Sequence, residues 1–169
     1  HMGGVETSEV IDAHLRDVES AQRERQHLGP RRAIRERHRH ARPHPEFDLP
    51  PSIDWRADPF GDRNWRAQFH MLRWLDPLRR VAADGDQEAF ALWWSVVESW
   101  AADCLDSATA PPEAWMDMVD GMRAIELSLG LLVVEQHQPS SVDRLHALLD
   151  VHGGWLADHA HRGRSNHAL

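Results

Sequence analysis

The chain has 169 residues; 19 are Arg, none is Lys, and 27 acidic residues leave a net charge of −8. That length suits one domain with a sizeable core, and the acidic balance excludes a general nucleic-acid binder, which needs a basic face against phosphates. The lone Cys104 excludes an intrachain disulfide, no apolar run reaches membrane-spanning length, and no secretory signal opens the chain. Trp occurs eight times and Tyr never.

Residues 1–4, His-Met-Gly-Gly, read as a cloning remnant and carry no fold argument. Residues 5–28 read as a charged, weakly amphipathic helix, capped by Thr7 or Ser8, with Ile11, Leu15 and Val18 along one stripe. Gly29-Pro30 ends it. Residues 31–45 hold six Arg, three His and two Pro against one Glu. Such a run is a solvated segment balancing an acidic body, or a contact for an anionic polymer or membrane surface.

Residues 46–61 read as an extended strap with Phe47, Leu49, Ile53, Trp55 and Phe60 as apolar anchors, because Pro50 and Pro51 forbid a regular strand. From Asp62, a plausible N-cap, a helical pattern runs through Trp65, Phe69, Leu72 and Leu78 to about Val81. Ala83-Asp84-Gly85-Asp86 is a turn, with Asp86 capping the next helix. That helix runs to about Cys104 and gathers Phe90, Trp93, Trp94, Val97, Trp100, Ala101 and Cys104 on one broad face. After the loop 107–112, a third helix is expected over 113–137, interrupted at Gly121 or Gly130. A fourth, over 141–160, presents Leu145, Leu148, Leu149, His152, Trp155, Leu156 and His159, and Gly153-Gly154 suggests close packing. The fold class is therefore all-α: antiparallel helical hairpins, 62–104 and 113–160, joined by short loops. The chain divides into 1–45, the remnant plus the charged and basic segment, and 46–169, the helical body.

The Trp residues at helical spacing (65, 74, 93, 94, 100) read as core, whereas Trp115 stands in the first turn of its helix, where side chains face a groove. Cys104 reads as core rather than nucleophile. His152 and His159 lie two turns apart, too far for a helical ligand pair, and no metal site is expected. The C-terminal Arg162-Gly163-Arg164-Ser165-Asn166-His167 sets an amide beside an imidazole, equipment for holding an acidic group and working on a neighbouring proton.

Three stretches together resemble the heparinase II/III-like polysaccharide lyases. The first is Trp55 to Leu75, an aromatic-plus-Asp-Pro strap followed by Trp65, Phe69, His70, Trp74 and Leu75. The second is Ala114-Trp115-Met116-Asp117 with Arg123 on the same helix. The third is Ser165-Asn166-His167. The resemblance covers about 46–169. It implies an incomplete (α/α) toroid and β-elimination on a uronic-acid-containing glycan, with no cofactor and an acidic polysaccharide as partner. Members are often secreted or periplasmic, but no compartment is fixed for this chain. By motif position Asn166 neutralises the substrate carboxylate and His167 supports it, while Trp115, Asp117 and Arg123 line the substrate groove. The family's proton-transfer Tyr has no counterpart in this chain, which is expected to be an N-terminal portion without turnover of its own. The alternative is a non-catalytic helical interaction module that forms homo-oligomers through exposed helix faces.

Overall fold

The computed structural model describes His44, Phe47 and residues 49–159. The helix expected over 5–28, all of the basic run except His44, and the pair Asn166 and His167 lie outside these residues. Among them the fold is helical, with no strand.

The strap enters without regular structure, as its prolines dictate, and Trp55 anchors it at 1% exposure. Its indole N–H donates to Ser99 Oγ at 3.1 Å, and its ring lies 4.9 Å from Phe69. Phe47, Leu49, Ile53 and Phe60 pack beside it. Asp62 then caps α1 (Arg63–His70), accepting from the Asn64 amide at 2.7 Å. Its other oxygen meets His44 Nε2 at 2.6 Å, and these bonds hold the Asp62 carboxyl below the usual carboxylate range.

One helix was expected from Asp62 to Val81; the chain makes two, with a corner between them. Pro77 is the reason. A proline inside a helix lacks the N–H and clashes with the carbonyl four residues back, so it is tolerated only in a first turn. A 3₁₀ turn (Arg73–Leu75) and α2 (Asp76–Ala83) therefore restart the helix, with Pro77 in the opening turn of α2. The corner pivots on Leu72, which takes a left-handed φ of 58° yet is fully buried. Two carbonyls freed by the break find side-chain donors. Trp74 Nε1 reaches Phe69 O at 2.8 Å, and Arg123 Nη1 reaches His70 O at 2.8 Å.

Gly85, at φ 101°, makes the next turn, and Asp86 caps α3 (Gln87–Cys104) through the Ala89 amide at 2.8 Å. The expected inward face forms: Phe90, Trp93, Val97, Trp100, Ala101 and Cys104 are buried, and Trp94 is half-buried. The helix expected over 113–137 arrives in three pieces: a 3₁₀ turn (Pro112–Trp115), α4 (Asp117–Leu129) and α5 (Leu131–His137). Gly130, not Gly121, is the break. A Cβ on Gly130 would stand 2.3 Å from Trp93 Cη2, whereas one on Gly121 would meet nothing within 4 Å. After a 3₁₀ turn at Pro139–Ser141, α6 (Val142–His159) closes the described chain. Gly153 and Gly154 face open space, so the close packing expected there is absent.

The main packings are α2 on α3 and α4 on α6, with α5 bridging to α2 and α3. Tryptophans 55, 93 and 100 with Phe90 form the centre of the core, each at 1% exposure or less. No described helix is long and apolar enough to cross a membrane.

Candidate functional site

α4 carries Asp120 and Arg123 one turn apart, which puts both on one face. That face points inward: both side chains have zero exposure. Arg123 Nη2 donates to Asp120 Oδ1 at 2.7 Å. α6 brings His152 to the same oxygen, with Nδ1 at 2.6 Å. α1 contributes the His70 carbonyl to Arg123, as above, and its imidazole Nδ1 accepts from Trp100 Nε1 at 3.2 Å. The guanidinium lies over the Trp100 ring, 3.8 Å from its centroid, and 5.2 Å from that of Trp115. Trp115 is itself held by its indole N–H on Cys104 O at 2.7 Å.

Charge states follow from these partners. Burial pushes the His70 imidazole down to about 4, aided by Arg123. Burial also lowers His152, against the pull of its hydrogen bond to Asp120. Burial lowers Arg123 to about 10, with Asp120 opposing, so it stays a cation at neutral pH. The cluster is then one ion pair and two neutral imidazoles. His152 carries its proton on Nδ1, facing the carboxylate, and His70 keeps Nδ1 bare for the Trp100 N–H. Asp120 Oδ2, Arg123 Nε and His152 Nε2 have no hydrogen-bond partner among the described residues. Cys104 is fully buried, and burial raises its thiol to about 11, an inert group.

The cluster opens outward through aromatic rings. Trp115 contacts Trp155 with centroids 5.4 Å apart, and Trp155 stacks on the exposed His159 at 4.6 Å. Two further buried carboxylates sit elsewhere. Glu126 accepts from Arg79 at 3.1 Å and from Trp93 at 3.3 Å. Glu113 pairs with Arg66 at 2.7 Å. No group of three metal-ligating side chains converges among the described residues.

The family described as "Heparinase II/III N-terminus" matches residues 7–150. The chain belongs to that family. No curated protein and no solved structure matches it. The match in this heparinase II/III N-terminal chain begins well before residue 46, where the sequence resemblance was placed, and takes in most of the segment that had suggested no relation. It ends before Asn166 and His167.

Within the matched span the expected groove residues separate. Trp115 and Arg123 come together, but Arg123 is enclosed and Trp115 is 9% exposed. Asp117 stays apart: it is half-exposed, and its carboxylate accepts from the Met118 amide at 2.7 Å. Asp120, His152, His70 and Trp100 went unnamed as site residues. The signal for them was present: a His in the core register Leu145, Leu148, His152, and an Asp and an Arg three apart among apolar residues.

Proposed function

We propose that this chain is the N-terminal helical part of a polysaccharide lyase that acts by β-elimination on a uronic-acid-containing glycan. The family match over 7–150 carries this reading. The α2–α3 and α4–α6 packings serve as hairpins of an (α/α) toroid around the substrate groove. In the reaction the substrate carboxylate is neutralised, the C5 proton is removed by a base, and an acid protonates the departing oxygen. Neutralisation stabilises charge that develops in the transition state, an electrostatic task. Asn166 performs it and His167 supports it. Asp117 and the outer edge of Trp115 line the groove, and Arg123 acts from behind Trp115, fixing the wall by its grip on Asp120 and the α1 corner.

These 169 residues contain no Tyr. The family resemblance assigns proton transfer to a Tyr, so on this reading that acid is supplied from outside them and the chain alone does not turn over glycan. The test is a lyase assay on the extended reading frame, following the absorbance of the unsaturated uronate product with acidic polysaccharides. Activity that Asn166→Ala largely abolishes is expected. Full activity in that variant removes the role given to Asn166, and turnover by the 169-residue chain refutes the argument from tyrosine.

A second reading, a helical interaction module, is favoured by one observation. Met118, Ile125, Leu129 and Leu132 follow helical spacing along α4 and α5 and are 42%, 56%, 52% and 76% exposed. A continuous apolar stripe of this kind marks an interface, here one between copies of the chain. Light scattering across a concentration series, with Leu132→Glu as the disrupting variant, decides it. A monomer at every concentration removes this reading.

A further inference from the structure

The strap, α1 and the loop after α3 border an open pocket of about 310 Å³ lined by Trp55, the exposed Arg56, Arg66, Thr109, Pro111 and Pro112. That volume lies at the small end of the range for ligand sites, roughly 300–1,000 Å³. Its two guanidinium groups are in different electrostatic states. Arg66 is neutralised, with Nη2 on Glu113 at 2.7 Å and Nε 3.5 Å from Asp58. Arg56 has no carboxylate within ion-pair distance among the described residues. It is nonetheless held in place, because Nη2 donates to the Thr109 carbonyl at 2.9 Å. One of its five N–H donors is spent on that anchor, and the rest of the fork remains.

We propose that this pocket binds the carboxylate of a single acidic sugar residue, with Arg56 as its anchor, at a place separate from the cluster around Arg123. The sugar part of this assignment rests on the lyase reading; the carboxylate part rests on the pocket. A fixed, uncompensated guanidinium matches one negative charge and the planar, two-oxygen shape of a carboxylate. The two prolines offer an apolar wall to the C–H face of a saturated ring.

The experiment is a ligand-observed NMR titration of the 169-residue chain with sodium glucuronate and glucose, two sugars of similar size that differ by the carboxylate. Glucuronate is expected to bind in the millimolar range and to weaken with salt, as an exposed charge contact does. Glucose, which lacks the carboxylate, is expected to bind at least ~10-fold more weakly. Arg56→Ala should cost at least ~10-fold for glucuronate, and Arg56→Lys, which keeps the charge and loses the fork, an intermediate amount. Arg144→Ala, which removes an exposed arginine paired with Glu98, should change nothing. Glucuronate binding that survives Arg56→Ala, glucose binding as tightly as glucuronate, an equal loss in Arg144→Ala, or no glucuronate binding at all overturns the proposal. None of these results bears on the lyase reading, which is tested by polymer turnover in the extended protein.

Discussion

Replacing Arg123 by Met tests whether the buried cluster holds the fold. The substitution nearly conserves volume, so little of its effect comes from a cavity. It leaves Asp120 at zero exposure without its cation and strips the donor from the His70 carbonyl. Breaking one side of a buried pair costs about 3–5 kcal/mol, and an unsatisfied buried carbonyl about 1–3 kcal/mol. The two overlap, because the structure relaxes around both at once, and a total near ~4 kcal/mol is expected, a large share of a typical 5–15 kcal/mol stability. The melting temperature should fall by roughly 10–15 °C. Urea unfolding followed by circular dichroism and by tryptophan emission measures the loss, and emission should also shift because the guanidinium no longer lies over Trp100. Combining Arg123→Met with Asp120→Asn removes the stranded charge, so the pair should be at least ~2 kcal/mol less damaging than the sum of the singles. A loss within about 1 kcal/mol, or additive singles, would refute the account.

Glu126 gives a pH test. Burial pushes its carboxyl from 4.5 up to about 7 against the pull of Arg79. The native state then holds the proton more tightly than the unfolded chain. This contribution to stability is fully present below about 4.5 and is lost as pH rises through about 7. Glu126→Gln should remove that decline, so the urea midpoint of the variant relative to that of the unsubstituted chain should rise between pH 5 and 7, and a constant difference would count against it. His70 acts in the opposite sense: lowered from 6.5 to about 4, it contributes stability above 6.5 that is lost as pH falls through about 4. Unfolding curves of Glu126→Gln over that acid range should therefore show stability falling with pH, and a flat response would reject the neutral His70. Gly130→Ala drives a methyl into the Trp93 ring and should destabilise by roughly 2 kcal/mol or more. Gly121→Ala meets open space and should stabilise by about 0.5–1 kcal/mol. Similar melting temperatures for these two variants would show that Trp93 yields.

Helix content and the turns were readable because periodicity and caps are local. Asp62 and Asp86 cap the helices they were expected to cap. The corner at Leu72 was missed although Asp76-Pro77 announced it; the apolar spacing on either side of the corner continues the same period and hid the break. Choosing between Gly121 and Gly130 needed the position of Trp93, a partner from another helix. The site was harder to read for the same reason. Arg123 was noticed and its spacing from Asp120 was readable, but His152 and His70 come from two other helices, and only packing brings them to the pair.

The corner at Leu72 also ties the first hairpin to a residue outside it. The His70 carbonyl is satisfied by a residue 53 positions further along. The strap, α1, α2 and α3 could be excised as a continuous peptide, yet that peptide would lack the donor that fixes its bend. Amide exchange on a 49–104 peptide should show an unprotected α1, and protection should return when the piece is extended through α4. The first hairpin therefore ends before the residue that holds its own bend.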